Sequence, residues 1–330
     1  GRGADRGRRT RSRWRQADAE PMATGGCGAG FRADVGVAAH GARARDALRD
    51  AAGGAPGHRA KAAEGVVLRV RNIALIVSYD GTAYRGFQTQ PGGGTIQDEL
   101  ERAIRSLTGG DERVEGSGRT DAGVHALGQV VSFRTASPIP IAKWALALNG
   151  RLPDDIIVRS AHEMPEEFHA RYSAVRKTYR YSIANGKYPD IFTARYRYHH
   201  YRPLDEDAMR DALKFLVGEH DFTAFSSAGA PRKSNVRTIY EARLEREGSD
   251  LHLYLTGSGF LYNMVRIIAG TLIEIGEGKK APGHIPAILE TKDRNMAGPK
   301  APARGLALWR VEYPPVYEAI LAVDPAGDAQ

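Results

Sequence analysis

The sequence predicts an α+β fold of two ferredoxin-like, RRM-like halves, each β-α-β-β-α-β, with joined, mainly antiparallel sheets and a cleft between them. Three observations carry that expectation. Strand and helix patterns alternate in this order from residue 73 to residue 161. The same order returns from residue 177 to residue 313. Glycines close several of the elements, at Gly109-Gly110, Gly218, Gly248 and Gly276. The halves are expected at 68–175 and 176–316, with 1–67 a disordered or non-native extension and 317–330 a tail.

In the first half, "IALIVSY" (73–79) is an apolar, β-branched run and reads as a strand. Thr95 and Asp98 form a Thr-x-x-acid capping box that opens a helix. Ile96, Leu100, Ile104 and Leu107 follow at helical spacing, and Gly109-Gly110 ends the run. A short strand near "ERVEG" (112–116) leads into a glycine-bracketed loop. "QVVSFRT" (129–135) alternates as a strand, "IAKWALALNG" (141–150) reads as a helix and "DIIVRSA" (155–161) as a strand.

In the second half, "KTYRYSIA" (177–184) is a strand and Asp205–Val217 a helix that stops at Gly218. "RTIYEARLERE" and "DLHLYLTG" form a hairpin about Gly248-Ser249. "FLYNMVRIIAGTLIEIG" (260–276) reads as one apolar helix, a short extra helix falls near 284–291, and "LALWRVEY" (306–313) closes the half as a strand. Two α+β layers joined by their sheets make the cleft between them the default ligand site.

Composition removes several classes. Cys27 is the sole cysteine, so neither a disulfide framework nor a thiolate metal cluster is available. The adjacent pair His199-His200 would face opposite ways on a strand, and no metal is expected. No apolar run approaches the ~20 residues of a membrane span.

The formal charge of +8 is concentrated early: residues 1–67 hold 13 Lys and Arg against 7 Asp and Glu, leaving +2 for the rest. That early segment lacks hydrophobic period, and Met22 lies inside it, as a mis-assigned upstream extension would have it. It has no apolar signal region, and its scarce serines and its acids disfavour organellar targeting, so a cytoplasmic protein is expected. Between Phe168 and Arg202, eight cations, Arg171 and Lys177 among them, stand against Asp190 alone with seven tyrosines interleaved. Cations for phosphate and rings for stacking are the composition of an RNA surface; a solvated, Tyr-rich strand pair has the same look.

"GSGRTDAGVHALGQVVSF" (116–133) sets Asp121 beside Arg119 in a bend almost free of side chains. A turn in which Asp121 caps its own backbone is one reading, a carboxylate presented to a ligand the other. Arg266 lies inside the apolar helix with Val265, Ile267 and Ile268 around it, where an unpaired guanidinium is costly. An amphipathic helix with one solvated arginine is the alternative; the apolar neighbours favour pairing, and Asp121 is a candidate partner.

Taken together, "YDGTAYRGFQTQ", "GRTDAGVHALGQV", "FHARYSAVRKTYRY", "DFTAFSS" and "FLYNMVR" resemble the bacterial tRNA pseudouridine synthase A family, which acts on uridines 38, 39 and 40 of the anticodon arm. The likeness runs from about residue 70 to about residue 315. It implies an isomerase that turns uridine into pseudouridine without cofactor, as a homodimer gripping tRNA across both subunits. It also implies Asp121 as nucleophile, Tyr179 as the active-site tyrosine, Arg266 as the partner of the nucleophile and Arg119 as a residue holding the flipped nucleotide. A carboxylate, ionised above about pH 4 in water, needs no base to act as nucleophile. Attack at C6, attack at C1′ and assistance to a glycal are all open to it. Tyr179 either stacks on the base and relays a proton at C5, or packs as an ordinary strand aromatic. For His125, four residues after Asp121, a structural or RNA-contacting role is preferred to general-base catalysis; Arg171 and Lys177 are expected on phosphate.

Three rivals are weaker. A non-catalytic RNA-binding module shares the element order but has no need of a buried Asp–Arg pair. A phosphate-binding loop at "GEGKK" (276–280) lacks the Gly five residues before Gly278, where position 273 is Ile, and no Ser or Thr follows Lys279. An aspartate-based hydrolase would want a second carboxylate or a metal beside Asp121.

Overall fold

The computed structural model describes residues 69–227 and 234–322; the expected extension at 1–67 lies outside them. The first half runs β1 (Arg71–Tyr79), α1 (Ile96–Thr108), β2 (Glu115–Gly116), β3 (His125–Thr135), α2 (Ile141–Asn149) and β4 (Ile156–Met164). The second runs β5 (Arg176–Ala184), β6 (Tyr198–His199), α3 (Glu206–Lys214), β7 (Gly218–Asp221), β8 (Val236–Glu247), β9 (Asp250–Gly257), α4 (Met264–Gly276), α5 (His284–Thr291), β10 (Leu306–Glu312) and α6 (Pro315–Leu321).

These strands make one ten-stranded sheet in the order β4-β1-β3-β10-β5-β9-β8-β7, with β2 on β3 and β6 on β5. The doubled pattern of the sequence is visible in space. Around β1 the order is β4-β1-β3-β2, and around β5 it is β10-β5-β9-β8, the same arrangement twice. What joins the halves is the shortness of β2. It covers β3 only at Ser132 and Val131, which leaves the start of that edge open. β10 takes it, pairing in parallel through Ala307 with His125 and Leu308 with Ala126. Apart from this pair and β5–β6, every ladder is antiparallel.

α1 forms where the capping box predicts it. The Thr95 hydroxyl accepts from the Asp98 N–H, the Asp98 carboxylate accepts from the Thr95 N–H, and Gly109 ends the helix in the left-handed region. Ile96, Leu100, Ala103 and Ile104 are the buried stripe, and burying each large aliphatic contributes about 1.5–3 kcal/mol. α4 is buried on nearly every face, as expected of a helix apolar all round.

β3 begins at His125, four residues before the expected Gln129, β4 runs to Met164, three past Ala161, and β6 is not among the expected strands. Three further boundaries differ. α3 ends at Lys214, and Gly218 begins β7 instead of only stopping a helix. α4 begins at Met264, four residues late, because Asn263 takes a left-handed φ of 61° that no α-helix continues through. The tail expected from 317 starts as α6: Pro315 occupies its first turn, and Tyr317 packs edge-on against Phe168. Residues 323–330 lie outside the described residues. Among the described residues no helix is long and apolar enough to cross a membrane.

Candidate active site

The Asp121 loop connects β2 to β3 and is pinned from behind by the segment after β1. The Phe87 N–H donates to the Thr120 carbonyl at 3.0 Å, and the Gly123 N–H to the Tyr84 carbonyl at 3.3 Å. Gly86, at φ 99°, makes this approach possible: a Cβ there would stand 2.7 Å from the Thr120 oxygen. Side chains complete the brace. Gln129 Nε2 donates to the Gly118 carbonyl at 2.8 Å, Ser117 Oγ donates to Gln129 Oε1 at 2.6 Å, and Tyr79 and Thr120 share a hydroxyl–hydroxyl bond of 2.8 Å. The loop is bare yet rigid.

Asp121, with about a quarter of its side chain exposed, meets Arg266 of α4 across the junction of the halves, Oδ2 to Nη1 at 3.3 Å. Arg266 itself is buried and held from two further sides. Its Nε donates to the Ala301 carbonyl at 2.8 Å and its Nη1 to Asn263 Oδ1 at 3.1 Å. Tyr179, on the middle of β5, is buried edge-on against Phe260 with ring centroids 5.1 Å apart. Burial, with the Tyr79 phenol and the Asp121 charge nearby, raises its hydroxyl above the usual phenol range, so it stays protonated at neutral pH. The Asp–Arg pair expected from two positions 145 residues apart is therefore present, and Tyr179 stands beside it.

A family profile described as tRNA pseudouridine synthase matches residues 75–173 and 212–314. Proteins named tRNA pseudouridine synthase A are similar across the same region. That of Brevibacillus brevis is 49% identical over 244 residues, covering 74% of this chain and 100% of the relative. That of Bacillus subtilis is 50% identical over 243 residues, covering 73% and 98%. The chain belongs to the tRNA pseudouridine synthase family. The matched stretches contain Asp121 and Arg266, while Tyr179 lies between them. Among solved structures, an archaeal box H/ACA ribonucleoprotein aligns with a TM-score of 0.30 at 12% identity, over 61% of this chain and 43% of that one.

Around the pair, this family member sorts its other candidate residues into two groups. Arg119 and Arg171 are exposed, and Arg171 lies over the Tyr172 ring at 5.7 Å. His125 and Lys177 are engaged within the protein. His125 is buried, with Nδ1 accepting from the Gly81 N–H and Nε2 3.0 Å from the Arg195 carbonyl. Lys177 Nζ donates to the Ser117 carbonyl at 2.6 Å, and burial followed by the nearby Arg171 charge lowers its pKa to about 8. The cationic, tyrosine-rich segment is likewise divided, because neighbours on a strand face opposite ways. Tyr179 and Tyr181 are buried, whereas Arg180 lies over Trp309 at 3.7 Å; Tyr172, Tyr188, Tyr196 and Tyr201 are exposed.

Sequence reasoning missed Asn263, Tyr79 and Gln129. For Asn263 the signal was available, an asparagine breaking an apolar run just before its arginine. Cavities of about 400 and 300 Å³ open elsewhere, beside Phe215 and His220 and beside His200 and Glu277, and Asp121 lines neither. Among the described residues no three His, Cys, Asp or Glu side chains gather as metal ligands would.

Proposed function

We propose that this chain isomerises uridine to pseudouridine at positions 38, 39 and 40 of the tRNA anticodon stem-loop, with Asp121 as nucleophile and no cofactor. The observation that carries the proposal is the Asp121–Arg266 pair at the junction of the halves. A carboxylate in a rigid loop, partly exposed and directed by a buried guanidinium, is a preorganised nucleophile. Proteins of this name among the relatives support the reaction.

The reaction balances without a redox partner. The N1–C1′ bond breaks with its electrons going to the base, the base turns, and C5 joins C1′. The proton lost from C5 equals the one gained at N1. To reach Asp121 the uridine leaves its stack, at a cost of a few kcal/mol that an aromatic face partly recovers. Tyr179, protonated at neutral pH, serves as that face and as a neutral hydroxyl beside the carboxylate. Arg119, exposed on the loop, meets the flipped nucleotide in this reading, and Arg171, also exposed, the phosphates. The same reading gives a homodimer working in the cytoplasm.

The test maps pseudouridine in tRNA from a host lacking the endogenous activity, with wild-type protein and with Asp121→Asn. Wild type is expected to modify anticodon-arm uridines. Asp121→Asn keeps the shape of the loop and an amide oxygen for Arg266, and it is expected to fold, to bind tRNA like wild type and to form no product. Substantial product from a well-folded Asp121→Asn protein overturns the nucleophile, and product confined to another arm overturns the substrate site.

A further inference from the structure

Arg266 would face a problem if Asp121 reacted as proposed. Once a carboxylate becomes an ester its charge is gone, and a buried guanidinium that loses its one counter-charge is destabilising unless other groups hold it. The structure supplies a second partner on the same nitrogen. Nη1 carries two hydrogens; one serves Asp121 Oδ2 at 3.3 Å and the other Asn263 Oδ1 at 3.1 Å. The amide bond is the shorter of the two.

The other end of the Asn263 amide is fixed as well. Its Nδ2 donates to Ser227 Oγ at 2.9 Å, and the Ser227 N–H donates to the Tyr262 carbonyl at 3.1 Å. With Nδ2 committed to Ser227, the oxygen must face the arginine. The backbone makes this reach possible. Asn263 sits at φ 61°, ψ 7°, the left-handed region that asparagine tolerates far better than a β-branched residue, and Lys292 is the one other non-glycine residue there among those described. No side-chain hydrogen bond from Asn263 caps α4, so helix capping does not explain the residue.

We infer that Asn263 is a positioning residue that holds the Arg266 guanidinium independently of Asp121, so that the nucleophile can lose its charge while the arginine stays in place. This rests on the proposed role of Asp121, but its physical core is a coupling between two side chains through a third, which is measurable without turnover.

The experiment is a double-mutant cycle on the full chain with thermal melts, combined with steady-state turnover on tRNA. Asn263→Gly is the probe, because glycine accepts the positive φ and removes only the amide. Its turnover number is expected to fall about tenfold or more with KM within about twofold, the signature of an interaction that matters in the transition state. Asn263→Asp, which keeps an oxygen acceptor and tolerates the same φ, should recover to within about threefold. In the Asn263→Gly background, Asp121→Asn should lower Tm by at least about 3 °C more than the two single shifts added together. Additive Tm shifts, or wild-type turnover in Asn263→Gly, overturn the inference. Should Asn263→Gly fail to fold, Ser227→Ala takes its place: a loss of turnover at unchanged KM supports the inference, and wild-type turnover overturns it. An inactive Asp121→Asn with purely additive Tm shifts would sink this inference alone and leave the proposed function standing.

Discussion

Gly270 lies in the second turn of α4, and replacing it with alanine should destabilise the protein, against the usual rule. In an ordinary helix interior this exchange gains about 1 kcal/mol. Here a Cβ would stand 1.8 Å from the Pro299 carbonyl oxygen and 2.9 Å from its carbon. Relief to a normal contact of about 3.5 Å requires the chain near Pro299 to withdraw by roughly 1.7 Å. Ala301 moves with it, and Ala301 is tied twice to Arg266: its N–H donates to the Arg266 carbonyl at 3.0 Å, and its carbonyl accepts from Arg266 Nε at 2.8 Å. The neutral bond contributes about 1 kcal/mol and the charged one about 2. Overpacking adds about 2 kcal/mol, and the helix-propensity gain offsets about 1. The net loss is about 4 kcal/mol, or a Tm lowered by about 10 °C in a unit of this size. Thermal melts with turnover measured well below Tm provide the assay. A variant as stable as its parent would refute the packing argument. A destabilised variant with full turnover would refute the link from Ala301 through Arg266 to Asp121.

Lys177→Met tests the buried ammonium through pH. The folded-state pKa, about 8, lies below the unfolded value of about 10.5, so the unfolded chain binds the extra proton between them and stability from this residue rises across that window. The wild-type stability relative to Lys177→Met should therefore improve by about 2 kcal/mol from pH 7.5 to 9.5 in denaturant titrations, and an unchanged difference would refute it. Tyr179→Phe keeps the ring and removes the hydroxyl; turnover should fall about a hundredfold with tRNA affinity within about twofold, and wild-type turnover would reduce the residue to a stacking platform. Thr95→Ala removes the hydroxyl of the α1 capping box and should cost about 1 kcal/mol by melting, most of it restored in Thr95→Ser.

Much of this architecture is local and therefore written in the chain. The Thr95–Asp98 box and the stripe from Ile96 to Ile104 depend on residues within a few positions of one another, and both form where their pattern stands. The cost of burying a lone charge is equally local: Arg266 among Val265, Ile267 and Ile268 calls for a partner, and the resemblance to the pseudouridine synthases pointed to Asp121. Glycines beside Asp121 announced a bare bend, but not what would press on it from behind.

Tertiary structure alone decided who meets whom. Nothing in β2 says that its shortness leaves an edge for β10, because a strand's partner is set by register across distant chain and not by its own composition. Lys177 carries the signature of a phosphate contact, yet its nitrogen finds the Ser117 carbonyl 60 residues away. Asn263 reads as a helix residue until its left-handed turn aims it at Arg266. Periodicity and burial report how much surface and charge an element must hide; the atoms that satisfy them are chosen only when elements remote in sequence are packed at ångström separation.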